Sequence, residues 1–172
     1  MPSLDALRCC TAREYRLWPS GTWEVEPSPR ARRAATGPAR VCLRRRVCDG
    51  WVRKTVTLER AAPVVEFRYE LNGVAAPVVG LEFNLGLRDE QWLTSRWQEQ
   101  VRELRVADAS AGVAVRMRCE SAATVASFPI ETVSESEEGL ERTFQGLALV
   151  LMWPTGASRD WSCGLRWMVE TL

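Results

Sequence analysis

The stretch Val41-Cys-Leu-Arg-Arg-Arg-Val-Cys-Asp-Gly-Trp-Val-Arg-Lys-Thr-Val-Thr-Leu58 alternates in polarity on both sides of one Asp49-Gly50 pair. Asp-Gly is a favoured two-residue hairpin loop, because both residues tolerate the positive φ of a type I′ turn. Pairing outward from it sets Val47 opposite Val52, Arg45 opposite Lys54, Leu43 opposite Val56 and Val41 opposite Leu58. One face is then mostly apolar. The other carries Cys42, Arg44, Arg46, Cys48, Trp51, Arg53, Thr55 and Thr57. Two strands agreeing on one inner face predict an antiparallel sheet covered on that side.

The same pattern runs downstream. Val64–Leu71 alternates, Asn72-Gly73 turns the chain, and Pro77–Leu87 follows as a more buried strand. Leu93, Trp97, Val101 and Leu104 have helical spacing, which predicts a short helix or structured loop near Gln91–Gln100. A hairpin comes next, with Leu104 and Val106 facing Val113, Val115 and Met117 across Ala107–Gly112. Further strands are predicted at Thr124–Phe128, Glu131–Ser134, Glu141–Gln145, Leu147–Trp153 and Trp161–Val169. The run LALVLMW is apolar on both sides, as in a strand held between two layers. About ten strands with turns every ~8–12 residues predict an all-β fold, an antiparallel β-sandwich over 41–172. Residues 1–40 read as an irregular lead-in broken by Pro19, Pro27, Pro29 and Pro38, with a short edge strand at Thr22–Glu26. With no repeat and no internal boundary, the expectation is a single domain, 1–172.

Composition narrows the chemistry. The 172 residues are 46% apolar and 26% charged, which excludes disordered and collagen-like classes. Histidine is absent and Lys54 is the only lysine. His-based triads and most catalytic zinc sites are thereby removed, and no metal or cofactor is expected. The net charge of +1 hides a skew: residues 1–60 carry 13 basic and 6 acidic groups, the remainder 10 and 16. The Arg30, Arg32, Arg33 and Arg44–Arg46 clusters lack interleaved aromatics, so nucleic acid is not expected as a partner. No run nears the ~18 apolar residues of a membrane span, and the charged N-terminus lacks the apolar middle of a signal peptide. A cytoplasmic protein with six free thiols is expected. Cys42 and Cys48, ~20 Å apart along one strand, exceed the ~7 Å reach of a disulfide.

The densest polar segment is Phe128–Gly146. Glu131, Glu135 and Glu137 would share a face of a straight strand. Two carboxylates ~5 Å apart suit a retaining glycosidase and a wider gap an inverting one. The plainer and preferred reading is a polar strand edge turning at Gly139, its glutamates solvated or paired with Arg142. Sugar contact by Glu131 and Glu137 ranks next. Ser134 and Ser136 lack a base and are read as turn residues. Of eight tryptophans, Trp92 and Trp97 lie in the polar run RDEQWLTSRWQEQ. They are the candidates for a sugar-stacking platform, with Arg96, Asp89 or Glu90 reaching hydroxyls. Packing beneath a loop or against a partner domain competes with that reading and outweighs it. Trp153, Trp161 and Trp167 read as core.

The string PIETVSESEEGLERTFQG, residues 129–146, resembles the signature of the C-terminal β-sandwich domain of glycoside hydrolase family 57, the α-amylase/4-α-glucanotransferase group. GLEFNLGL, residues 80–87, is similar to that family's apolar strand, and the likeness extends from about Val41 to Trp167. The resemblance implies a galactose-mutarotase-like supersandwich packed on a (β/α) barrel that holds the catalytic carboxylates. It also implies a non-catalytic module of starch or glycogen metabolism, which supports the barrel or binds oligosaccharide weakly. The implied partners are an α-glucan oligosaccharide or a catalytic barrel protein. The family's nucleophile and acid have no matching positions here, so no catalytic residue is assigned. A purely structural or protein-interaction module is the alternative, and a carboxylate-based glycoside hydrolase acting alone a distant third.

Overall fold

Antiparallel pairing builds one continuous sheet that folds back on itself into two facing layers. The structure, a computed structural model, describes residues 22–27, 37–136 and 139–172. Its strands are β1 (Glu24–Glu26), β2 (Ala39–Val47), β3 (Gly50–Leu58), β4 (Val64–Asn72), β5 (Val78–Leu85), β6 (Arg96–Asp108), β7 (Val113–Ser136), β8 (Gly139–Pro154) and β9 (Trp161–Thr171). The sheet order is β1-β2-β3-β4-β9-β7-β8-β5, with β6 on the other edge of β7. The predicted all-β class holds.

β7 makes two layers out of one sheet. Its Val113–Cys119 half pairs with β9, and its Thr124–Ser136 half pairs with β8. β6 accompanies it through the bend, with register shifts between Gln98 and Glu103 and a φ of 58° at Gln100. Such irregularities let a strand change direction without losing its partner. The layers meet where Phe83 of β5 packs on Phe67 of β4 and Trp167 of β9, at centroid distances of 5.5 and 4.5 Å. Around them lies the main core, with Met117, Val125, Leu147, Leu149, Leu151, Trp153, Cys163 and Leu165.

The LALVLMW segment is buried on both faces, as expected. Leu147, Leu149, Leu151 and Trp153 face the main core, while Val150 and Met152 join Ala126 on the opposite face under Trp97, Phe128 and Val78. The hairpin from Leu104 to Met117 also forms as predicted, with Leu104 opposite Met117 and Val106 opposite Val115. The helical spacing of Leu93–Leu104 does not become a helix. A single 3₁₀ turn, Glu90–Trp92, precedes β6, because pairing with β7 overrides the local period. The separate strands expected between Thr124 and Trp153 merge into the long β7 and β8.

The first hairpin keeps its faces but not its register. Val47 lies opposite Gly50, Arg45 opposite Val52, Leu43 opposite Lys54 and Val41 opposite Val56, two residues away from the expected pairing. The loop is Cys48-Asp49, and Cys48 takes the positive φ of 51°. Gly50 belongs to the ladder instead, because a Cβ there would run into the carbonyl oxygen of Asn72 at the Asn72-Gly73 turn. An even shift leaves every side chain on its predicted side. The turn end of the inner face is covered by Val47, Val52, Leu71, Val74 and Val79. At the other end Val41 and Leu58 are exposed.

Two buried protons follow from this core. Burial pushes the Tyr69 phenol up to about 12 and the Cys119 thiol, also facing Cys163, up to about 11. Raised folded-state values mean that each neutral form stabilises the native protein below its ordinary pKa, near 10 and 9. That stability is lost as pH rises through the folded values. We therefore expect unfolding to become easier between about pH 9 and 12. Tyr69→Phe is expected to remove the upper part of the dependence, worth roughly 2–3 kcal/mol. Urea titrations at stepped alkaline pH check this, and identical slopes in both proteins would contradict it.

Candidate functional site

Three groups of residues are candidates: the ribbon that carries the polar motif, the tryptophans near the 3₁₀ turn, and the charged outer face of the β2-to-β9 layer.

The ribbon begins where the sheet runs out of neighbours. β5 pairs with β8 only over Leu147–Pro154, and β6 reaches β7 only as far as Ser127. Beyond them, Ile130–Ser136 and Gly139–Gly146 form a two-stranded arm. A register shift at its base sets Ile130 opposite Gly146 but Glu131 opposite Phe144, skipping Gln145. Gly146 is required there: a Cβ would collide with the Leu85 carbonyl oxygen, and its φ is 154°. The skipped residue turns Phe144, Arg142 and Leu140 onto the face that continues the core stripe. Phe144 packs against the main core, Val133 is 57% exposed and Leu140 is 76% exposed. The opposite face bears Thr132, Ser134, Glu141 and Thr143, with Gln145 donating to Thr132 Oγ1 at 3.3 Å.

Of the glutamates read from the motif, Glu131 is paired with Arg142 at 3.3 Å, the plainer of the two readings. Glu137 lies outside the described residues, so its expected place beside Glu131 is not described either. Glu135 shares the face of Glu131, opposite Leu140.

The two tryptophans do not form one platform. Trp92 is 7% exposed and belongs to the main core, where its indole N–H donates to the Ala107 carbonyl at 2.8 Å. Arg96 covers it, with the guanidinium 4.8 Å from the ring centroid and Nη2 donating to the Gln91 carbonyl. Trp97, one residue further along β6, lies on the other side of the layer against Ala126, Val150 and Met152, and donates to Glu99. The candidate platform of two neighbouring open rings is thus corrected in favour of packing: Trp92 is buried from the 3₁₀ turn, and alternation along β6 turns Trp97 away from Arg96 and the ring it covers. Asp89 accepts from the Gln91 and Ala109 amides, and these bonds hold its carboxyl below the usual range. The buried Asp108 accepts from Arg88 N and Ala111 N, so both carboxylates fix the turn around Trp92.

The charged face was not singled out in the sequence, because its members lie on seven strands. Read strand by strand, each is merely the polar side of an alternation. In the sheet, several arginines stand directly opposite one another: Arg44 and Arg53, Arg105 and Arg116, Arg118 and Arg166. Like charges in that position destabilise a sheet unless something lies between them. Glu26 lies between the first pair, 2.9 Å from Arg53 and 3.9 Å from Arg44. Glu170 joins the second, at 2.6 and 3.3 Å. Glu103 bridges Arg116 and Arg118 along β7, at 2.7 and 2.8 Å. Hydrogen bonds hold all three carboxyls below their ordinary values, from the Cys42 thiol and then Arg53 at Glu26, from Arg118 and Arg116 at Glu103, and from Arg116 and Arg105 at Glu170.

Lys54 faces inward, 5.7 and 5.5 Å from the Phe67 and Tyr69 rings, and burial lowers its pKa. Cys42, Cys48, Cys119 and Cys163 are free thiols, while Cys9 and Cys10 lie outside the described residues. Among the described residues no three His, Cys, Asp or Glu side chains converge as a metal site would require. None of the described helical residues forms a span long and apolar enough to cross a membrane.

A model of the alpha-amylase/4-alpha-glucanotransferase C-terminal family matches residues 2–165. The chain belongs to that family. The match takes in nearly all of the lead-in as well as the sandwich, so the likeness begins well before Val41. No curated protein matches the chain. Among solved structures, the 4-alpha-glucanotransferase of Thermococcus litoralis superposes with a TM-score of 0.67 at 23% identity, covering 97% of this chain and 25% of that one. The heparan sulfate lyase HepC of Pedobacter heparinus (TM-score 0.57, 9% identity) and a heparinase III (0.59, 13%) each cover 88% of this chain and 21% of their own. At these identities the likeness is one of fold. The family member thus spans about a quarter of the length of the glucanotransferase it resembles.

Proposed function

We propose that this chain is a non-catalytic β-sandwich module of cytoplasmic starch- or glycogen-type metabolism, of the glycoside hydrolase family 57 kind, that docks on and supports a catalytic (β/α) barrel. The observation that carries the reading is the motif-bearing ribbon. An isolated two-stranded arm is marginal in water, and three strands or a packed face are needed to hold one. Val133 and Leu140 give that face exposed apolar contacts among Glu131, Glu135 and Arg142, and a barrel surface is the partner that family membership suggests. Glu131 supports a structural role, since it is paired with Arg142.

The test uses the full chain with a family 57-type barrel encoded by the same genome. The chain alone is expected to release no reducing sugar from amylose or glycogen and to transfer no glucan. It is expected to co-elute with the barrel, and Leu140→Glu is expected to abolish co-elution at an unchanged melting temperature. Sugar release that disappears in Glu131→Gln would overturn the non-catalytic reading. Co-elution unaffected by Leu140→Glu would move the docking surface elsewhere. Retardation of the chain in amylose gels would favour weak oligosaccharide binding as its contribution.

A further inference from the structure

We infer that the outer face of the β2-to-β9 layer holds a binding site for a small phosphorylated sugar, centred on Arg118 and Arg166. Every other directly opposed arginine pair described on this face shares a carboxylate. Arg118 and Arg166 do not: Arg118 bonds Glu103 through Nε, and Arg166 reaches Glu66 only at 3.7 Å. The two guanidiniums therefore face each other with no common counter-ion and with donor N–H groups to spare. An oxyanion between them would complete the pattern that Glu26 and Glu170 set elsewhere, through charge-assisted, bidentate hydrogen bonds.

The space for it exists. A hollow of about 460 Å³ opens on this face, rimmed by Arg40, Arg68, Arg118 and Arg166. Its floor is kept low by Gly164, where a Cβ would come within 3.0 Å of the Glu120 carboxylate and 3.7 Å of Arg68. The lining also holds two carboxylates: Glu120 is held by the Gly164 amide at 2.9 Å and by Arg68 at 3.2 Å, and Glu66 lies 3.7 Å from Arg166, so each already has a cationic partner. The hollow lies within the size range of small-molecule sites and far exceeds what a bare phosphate fills. Thr57 in its wall offers a hydroxyl for a polyol. Anion, space and a hydroxyl partner together describe a hexose-sized phosphate ester. The site lies on a different layer from the ribbon and does not depend on barrel docking.

Titration calorimetry with inorganic phosphate, glucose 6-phosphate and glucose tests this on the full chain. Glucose 6-phosphate is expected to bind at least tenfold more tightly than inorganic phosphate, glucose not measurably, and added salt is expected to weaken the ester. Arg166→Gln and Arg118→Gln are each expected to lower that affinity tenfold or more. Because either variant relieves a like-charge pair, its melting temperature is expected to stay level or rise, so lost binding is not lost folding. Gly164→Val, which fills the hollow, is expected to exclude the ester. Absence of saturable binding at millimolar ester, or equal affinity in Arg166→Gln, would overturn the site. Inorganic phosphate binding as tightly as the ester would overturn its sugar half. Binding of a neutral maltooligosaccharide in place of the ester would also overturn it while leaving the glucan reading intact.

Discussion

Trp92→Ala is expected to cost ~3–5 kcal/mol of stability, the range for removing a large aromatic from a packed core. The ring sits among the inward residues of both layers, and its N–H is the donor for the Ala107 carbonyl. Truncation leaves a cavity and removes the shorter of two side-chain hydrogen bonds to that carbonyl, which keeps only Gln91 Nε2 at 3.3 Å. For a chain of this size the melting temperature is expected to fall by roughly 10 °C or more. Trp97→Ala, which uncovers only the smaller Ala126–Met152 cluster, is expected to cost ~1–2 kcal/mol, nearer the centre of single-substitution effects. Thermal unfolding of the two variants beside the wild type decides it. Equal melting of wild type and Trp92→Ala would return that ring to the list of surface binders.

Gly146→Ala is the second large effect. The added methyl points at the Leu85 carbonyl oxygen, a backbone atom that cannot swing aside, and φ there is one that side chains rarely adopt. Strain and overpacking together are expected to cost about 2–5 kcal/mol. Relief can come only by lifting the ribbon off the end of β5, so the damage should be visible locally. Hydrogen exchange is expected to show Ile130, Glu131 and Phe144 losing protection ahead of Leu149 and Leu151. Gly139→Ala, also at positive φ but with open space around it, serves as the control and is expected to cost less. Uniform loss of protection in both variants would contradict this account of Gly146.

The β-class, the faces of the first hairpin and the doubly buried β8 were readable because each rests on alternation, a local property. The hairpin register was not, because Gly50 answers to the Asn72-Gly73 turn more than twenty residues away rather than to its own loop. For Trp92 the packing reading, which outweighed the platform, holds, and the reason the platform was a candidate at all is related. Its polar neighbours Asp89, Gln91 and Arg96 bond back to the turn and over the ring, so polarity in the sequence did not mean exposure in the fold. The motif at 129–146 marked the family, yet nothing local announced that a skipped Gln145 would turn Leu140 onto the apolar side. The arginine face was invisible for the plainest reason. Opposition between Arg118 and Arg166 exists only after β7 and β9 have paired.

That pairing also sets a timetable for synthesis. β9, made last of the described strands, lies in the interior of the sheet between β4 and β7 rather than at an edge. Until Trp161–Thr171 has left the ribosome, β4 and β7 each present an open edge, and Phe67 and Tyr69 lack the Leu165 and Cys163 that sit opposite them. The β2–β3 and β6–β7 hairpins can form early from local contacts, but the layer closes only with contacts spanning some hundred residues. Such non-local closure is slow. The nascent chain therefore waits, half-built and with strands unpaired, in the state most prone to aggregate, and its yield in a cell depends on how well that interval is protected.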